Sequence, residues 1–400
     1  TEAFIDGEVP ADHGRLYKLD VNSFYPSIMR DNVFSARLIT SWPRYYPHSF
    51  NAALAEGRGI VANVYLHTDA PIYGVVFCVH CEAIAAECIC GRFRGDKLIF
   101  PVGTFWTTLS TPEIRLAHDR GHIIKIGAWS EYSTEPLFKE YVDWFYNTRL
   151  EYRRAGNAAF AHMAKTMLNS LFGRFAMRAR RWEYTNRYSL DDIRGVDKTR
   201  RLVGESWTDS GPGTDTIKLR ERMGRVQIER VDPESSESVP VISSEITGFA
   251  RIKLWEYIEI AGQGEGRVYY CDTDSLVVNQ AGYDNLADYI HPSDLGMLDI
   301  EGISNYAEFR APKHYSFQHI DGQLDVKIKG VRKSAVLWSD IETREIHASQ
   351  PQFRSWDVNL NLGIDGQIIV KDIIKKVSGL NTKRISKGRG QFNDPIRLDL

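Results

Sequence analysis

Residues 267–278 read Arg-Val-Tyr-Tyr-Cys-Asp-Thr-Asp-Ser-Leu-Val-Val, with two β-favouring runs, 268–271 and 276–278, on either side of an acidic tip. This pattern predicts a hairpin with Asp272 and Asp274 at its turn. Two carboxylates crowded between buried strands repel each other and lose hydration, which is unfavourable unless a cation joins them. Hard oxygen ligands favour Mg²⁺ or Mn²⁺, which take one or two carboxylates and leave their other positions to water and phosphate. Taken alone, the stretch fits an acidic surface turn equally well, so the rest of the chain has to decide.

The first candidate strand, residues 15–21, alternates so that Leu16, Lys18 and Asp20 share one face and Tyr17, Leu19 and Val21 the other. Asp20 closes that strand and runs directly into Asn22-Ser-Phe-Tyr-Pro-Ser-Ile-Met29. Pro26 suits the first turn of a helix, with Ser23 or Tyr25 just before it, leaving the N–H groups around residues 23–25 free to bind an anion. A carboxylate able to hold a metal, followed within one turn by amides able to hold phosphate oxygens, is what a nucleoside triphosphate with Mg²⁺ requires. The plainer alternative is a capped strand-to-helix connection with an incidental Asp.

With 400 residues, 43% hydrophobic and 26% charged, the chain can bury a large core and splits into two or more subdomains. Its formal net charge of -2 neither favours nor excludes a nucleic-acid partner, because clustering on one face is what matters. Cys78, Cys81, Cys88 and Cys90 fall together and Cys271 stands in the acidic hairpin. A disulfide framework does not fit a chain of this size. For zinc, the spacer between Cys81 and Cys88 is short and Cys-x-Cys is an unusual second knuckle, so buried thiols in strands are favoured over a metal site. No run approaches the about 18 apolar residues of a membrane span, and no basic-then-apolar leader opens the chain. A soluble, intracellular protein of a reducing compartment is expected. The opening Thr1, without Met, points to a fragment or a processed end.

Residues 60–67 and 97–103 are β-rich runs around the cysteine cluster. From 136 to 154 the pattern turns helical, with Leu137, Tyr141, Trp144, Phe145 and Leu150 at spacings of three and four; Gly156-Asn157 breaks it, and 158–177 is helical again, giving an antiparallel pair. Lys165, Asn169 and Phe172 share a face of the second helix. Between 149 and 187 stand Arg149, Arg153, Arg154, Lys165, Arg174, Arg178, Arg180, Arg181 and Arg187 against Glu151 and Glu183, a basic patch that the overall charge conceals. Residues 178–238 are polar, with loops at 210–213 and 232–238, and read as an insertion of short strands. Residues 239–261 resume as strand then helix, with Phe249, Ile252, Leu254, Trp255 and Ile258 as the buried face. Further on, 324–333 alternates Lys with apolar residues, putting Lys327 and Lys329 on one strand face, a cradle for a phosphodiester backbone or simply a polar face. A basic stretch at 383–390 is mobile or faces nucleic acid.

Three of these stretches occur in a telling order. Asp20-Val-Asn-Ser-Phe-Tyr-Pro-Ser27, Lys165-Thr-Met-Leu-Asn-Ser-Leu-Phe-Gly173 and Tyr270-Cys-Asp-Thr-Asp-Ser275 resemble the three polymerase motifs of family B DNA polymerases, especially the protein-primed branch of phages and linear plasmids. Lys313-His-Tyr315 resembles that family's Lys-x-Tyr element at the primer terminus. The resemblance covers residues 1–335 and weakens beyond. It implies an α+β right-hand polymerase with an antiparallel palm sheet, helical fingers and a C-terminal thumb: palm at 1–135 and 239–334, fingers at 136–177, an insertion at 178–238 of the kind that supports processivity and strand displacement, and a thumb at 335–400. The implied activity is template-directed addition of dNTPs to a primer 3′ end in replication of a viral or plasmid-like genome, with two Mg²⁺ or Mn²⁺ ions clamping the attacking and leaving oxygens.

By the same resemblance Asp20 and Asp274 ligate both metals with help from the Val21 carbonyl, and Asp272 is a supporting acid. Ser23 and Phe24 amides hold the triphosphate, Lys165 neutralises or protonates the leaving phosphates, and Arg153 or Arg154 reaches in from the opposite helix. Tyr25 packs beneath the sugar and excludes a 2′-hydroxyl; Asn169 and Phe172 line the nascent base pair; Lys313, Tyr315, Lys327 and Lys329 meet the primer and DNA backbone. Implied partners are primer-template DNA, dNTPs and a terminal priming protein, with no membrane, for a monomer in viral or bacterial host cytoplasm. Three departures stand out: Phe172 replaces the usual Tyr, Cys271 stands where many relatives have Gly, and the Tyr-x-Gly-Gly element expected just before Thr1 is absent, so no proofreading is expected of this chain. The rival readings are a catalytically silent DNA-binding remnant and an RNA-synthesising or primase-like enzyme; the acids and Lys165 weigh against the first, and Tyr25 against the second.

Overall fold

A computed structural model describes residues 2–9, 14–78, 83–84, 96–176, 179–187, 189, 207–209, 217–222, 224–232, 238–329, 331, 345–352, 369–376, 383–385, 387–388 and 390–399. Cys81, Cys88, Cys90, Arg178 and the expected loops at 210–213 and 233–237 lie outside the described residues. The architecture is α+β, with antiparallel sheets and segregated helices.

The main sheet runs in the order Glu2–Phe4, Val268–Asp272, Ser275–Asn279, Leu16–Val21, Leu298–Ala311, His314–His319, Leu324–Ile328, with Gly7–Glu8 pairing onto Leu298–Ala311. The predicted strand is thus central, and both its faces are covered. Tyr17, Leu19 and Val21 join one buried cluster, while Leu16 joins another with Tyr270, Phe309, Tyr315 and Phe317, as the strand's two-residue repeat requires. The acidic hairpin pairs directly with this strand, Ser275 opposite Asp20.

Under the first face lies helix Pro240–Ala261, which buries Ile242, Ile246, Ala250, Leu254, Tyr257 and Ala261. A strand had been expected at its start. The helix instead begins at once with Pro240 in its first turn, where a missing N–H is harmless, and a stripe at helical spacing outweighs the local β-propensity of Val239, Val241 and Ile242. Of the expected buried face, Leu254 is fully buried; Phe249 and Ile258 pack against the main-sheet core, and Ile252 and Trp255 against a second core. The helix joins the two cores.

That second core belongs to a five-stranded sheet in the order Arg397–Asp399, Val102–Leu109, Gly59–Thr68, Ile123–Glu135, Phe34–Trp42, backed by helices Thr111–Asp119 and Pro47–Ala55. The expected run at 97–103 is two strands, Asp96–Ile99 and Val102–Leu109, separated at Phe100-Pro101. The C-terminal strand pairs in parallel with Val102–Leu109, and a Cβ on Gly103 (φ +104) would come within 2.0 Å of the Leu398 carbonyl oxygen. Only glycine allows that approach. Phe392 and Asn393 meanwhile reach the start of the chain: Ile5 bridges Phe392, and the Phe4 carbonyl accepts from the Asn393 N–H at 3.2 Å. Within the stretch expected as a thumb, Glu345–Gln352 and Ile369–Lys376 pair antiparallel, whereas 390–399 lie against these two sheets.

The expected helix pair is Lys139–Arg154 and Ala158–Phe175, the second capped by the Asn157 side chain accepting from the Phe160 N–H. In the insertion, Ala179–Tyr184, Arg225–Asp232, Ile217–Arg222 and Trp207–Asp209 form a four-stranded antiparallel sheet. Cys78, at the end of strand Val75–Cys78, and Cys271 are buried. No helix among the described residues is long and apolar enough to cross a membrane.

Candidate active site

Asp20 stands one residue from the end of the central strand, and the neighbouring hairpin turns at Thr273. The Val21 N–H donates to the Asp274 carbonyl at 2.8 Å, which sets the two acids side by side. Burial, and then the Asp274 charge, push the Asp20 carboxyl up to about 7. Burial and Asp272 likewise raise Asp274. Asp272, although adjacent, has a different fate. Its carboxylate accepts from the Tyr270 hydroxyl at 3.4 Å and the Thr273 hydroxyl at 3.0 Å, and lies 3.3 Å from the Lys313 ammonium. The Lys313 N–H donates in turn to the Tyr270 hydroxyl at 3.0 Å. Among the described residues no ion pair reaches Asp20 or Asp274.

That contrast is the test for a metal. Two converging carboxylates that stay raised by burial and by mutual repulsion fit a hard divalent cation. No group of three or more His, Cys, Asp or Glu side chains suited to a metal occurs among the described residues. The donor set therefore suits an ion that completes its shell with water and substrate phosphate, as Mg²⁺ does, better than an all-protein cage.

Across from this pair, helix Phe24–Asp31 begins after Ser23, which settles its cap. Pro26 has no N–H, so Phe24 and Tyr25 supply the free amides among the first three helical positions. Ser23, Thr273 and Lys313 are the non-glycine residues with left-handed backbones (φ 49, 55 and 55) among the described residues, and all three border the acids. Such strain gathers where geometry is functional.

The Tyr25 ring stacks on Phe172, with centroids 4.2 Å apart and an angle of 21°. Lys165 and Asn169 are exposed on the same helix, and Lys165 is close enough for its charge to stabilise ionised Asp20. On the partner helix, Arg149 is the arginine that reaches the strand-helix turn, donating to the Ser23 hydroxyl at 2.9 Å. Arg153 and Arg154 are exposed in the last turn; burial and then the Arg153 charge lower the Arg149 pKa. The helix starts at Lys139, and this register brings Arg149 inward, a residue the sequence showed only as part of a basic patch.

Tyr315 is 4% exposed and packs on Tyr270 and Phe309, at 5.1 and 5.6 Å between ring centroids. Lys327 is exposed and pairs opposite it; Lys329 lies just past the end of strand Leu324–Ile328, also exposed. A pocket of about 220 Å³ opens beside Tyr25 and Thr273, lined also by Arg251, Lys383 and Arg384. Arg251 is held 2.6 Å from Glu113. No sequence motif pointed to Arg251, and the convergence of Lys383 and Arg384 on this pocket depends on the chain's return from its far end.

Residues 10–192 match the family model described as DNA polymerase type B, organellar and viral. Among curated relatives, a probable DNA polymerase of Ascobolus immersus is 26% identical over 343 residues, 82% of this chain and 25% of that protein. One of Podospora anserina is 27% identical over 275 residues, 61% of this chain and 22% of its own. The chain thus spans a quarter or less of the length of these two relatives. Phi29 DNA polymerase, solved with primer-template DNA and incoming nucleotide substrates, shares the fold with a TM-score of 0.59 at 16% identity, over 94% of this chain and 59% of that one.

Proposed function

We propose that this chain is the synthetic module of a template-directed DNA polymerase that adds dNTPs to a primer 3′ end. The observation that carries this reading is the Asp20–Asp274 pair, converging, half-buried and in no ion pair among the described residues, beside helix amides and an inward arginine. In this reading Asp20 and Asp274, with the Val21 carbonyl, hold two Mg²⁺ or Mn²⁺ ions, which when bound stabilise the charge on the attacking and leaving oxygens. Asp272, tied to Lys313, keeps the hairpin in register.

The remaining steps belong to the chain's own groups. Amides of Ser23, Phe24 and Tyr25, with Arg149, Lys165, Arg153 and Arg154, bind the triphosphate, and Lys165 offsets charge on the departing pyrophosphate or protonates it. The Tyr25 ring, backed by Phe172, forms a floor under the sugar that leaves no room for a 2′-hydroxyl. Asn169 and Phe172 line the nascent pair. Lys313 and Tyr315 meet the primer terminus, and Lys327 and Lys329 its phosphodiester backbone. The main sheet serves as palm, helices Lys139–Arg154 and Ala158–Phe175 as fingers, and Glu345–Gln352 with Ile369–Lys376 as described strands of a thumb; the sheet within 178–238 supports processivity. Replication of a plasmid-like or viral genome, with a terminal priming protein, follows from the branch that the motifs resemble. A silent DNA-binding remnant has no use for two converging acids.

The test is extension of a labelled primer on a template by this chain with dNTPs and Mg²⁺. Extension that chelation abolishes is expected. Tight primer-template binding with no extension at any Mg²⁺ or Mn²⁺ concentration would overturn the reading.

A further inference from the structure

The sheet face that carries Asp20 holds a second charged group that this reading leaves unused. Lys18 precedes Asp20 by two residues on the central strand, so both side chains share a face, and it is 9% exposed. Its ammonium lies 2.9 Å from Glu301 and 3.2 Å from Asp325, and 5.7 Å from the centre of the Tyr315 ring. These groups come from three other strands. Glu301 sits where the pairing of Leu298–Ala311 slips between Ile300 and Gly302, a bulge that aims its carboxylate at Lys18. Asp325, 8% exposed, lies on the edge strand Leu324–Ile328, and Tyr315 on His314–His319 between them.

In this network Lys18 and Asp325 are buried and the Glu301 side chain is 44% exposed; the buried pair is a poor source of stability, since apolar side chains of similar size usually serve as well. What it does supply is geometry. Tyr270 and Phe309 hold the Tyr315 ring by packing, while Lys18 lies over the ring and ties the edge strand to the strand of Asp20.

We propose that Lys18, clamped by Glu301 and Asp325, is a positioning residue that holds Tyr315 in fixed relation to Asp20 and so places the primer terminus against the acids. The inference rests on the polymerase reading, in which Tyr315 meets the primer. Its test uses the whole chain with Lys18→Met, Lys18→Arg and the charge-balanced Lys18→Met/Asp325→Asn, the last in case Lys18→Met alone does not fold. Two quantities are read: fluorescence of 2-aminopurine at the primer 3′ end in the binary complex, and the kcat and dNTP KM of single-nucleotide extension. Lys18→Met and the double variant are expected to alter the terminal-base fluorescence and to lower kcat about tenfold to a hundredfold with dNTP KM unchanged; Lys18→Arg restores part of both. Unchanged fluorescence in a folded double variant, or a rise in dNTP KM alone, would overturn the proposal. Should the wild-type chain order the primer terminus yet fail to extend it, the polymerase reading fails while the fluorescence still decides on Lys18.

Discussion

Tyr25 faces two demands that only an aromatic meets together: its ring stacks on Phe172, and its hydroxyl end lies within reach of the Asp274 and Arg251 charges. On the proposed reading, replacing it by Val removes the floor under the sugar and leaves both acids in place. Tyr25→Val should raise ribonucleotide incorporation relative to dNTP while primer-template affinity stays the same; an unchanged sugar preference would refute the steric assignment. Asp20 makes a second residue-scale prediction. Its folded-state value near 7 lies above that of the unfolded chain, so the folded protein holds the proton more tightly. The resulting stabilisation is full below about pH 4 and is lost as pH rises through about 7. Metal-free protein should therefore melt at a lower temperature at about pH 8 than at about pH 6, Mg²⁺ should narrow that difference by raising the Tm more at pH 8, and Asp20→Asn should flatten the slope. A metal-free Tm that rises over this range would count against the raised Asp20 carboxyl.

Between elements, polar and backbone contacts do much of the joining. Glu245, on helix Pro240–Ala261, is 1% exposed and accepts from the Ser35 N–H at 2.8 Å and the Ser35 hydroxyl at 2.6 Å, and from the Thr111 hydroxyl. It therefore pins one strand and one helix of the second sheet to the main core. Glu245→Ala should destabilise the chain by about 2–4 kcal/mol, read as a drop in Tm, because three buried donors lose their acceptor. Gly103→Ala should cost about 2 kcal/mol or more, since the new Cβ collides with the Leu398 carbonyl at a strained φ; a wild-type Tm would mean the C-terminal strand is not seated there. Neither contact was legible in the sequence, because residues 103 and 398 meet only through the global path of the chain. What was legible was local: the alternation that put Lys18 and Asp20 on one face, the acidic hairpin, and the Gly156-Asn157 break between two helices. The bulge at Glu301 and the inward turn of Arg149 depend on register, which periodicity leaves open by a residue or two.

Across the whole molecule, the arrangement separates a charge-balanced chain into regions of opposite character. The formal net charge is -2, yet Arg149, Arg153, Arg154 and Lys165 gather on one helix pair opposite Asp20 and Asp274. DNA affinity should accordingly fall steeply with salt despite that net charge, with a log–log slope reduced by about 1 for each phosphate-binding lysine or arginine removed. The most direct measurement of the central claim is single-turnover primer extension by the wild-type chain, Asp20→Asn and Asp274→Asn, with primer-template affinity measured alongside. The account predicts that each substitution abolishes extension while leaving DNA binding within about threefold of wild type, as expected for groups that act on the reacting centre rather than on the duplex. Extension surviving in either variant, or a wild-type chain that binds but never extends, would contradict it.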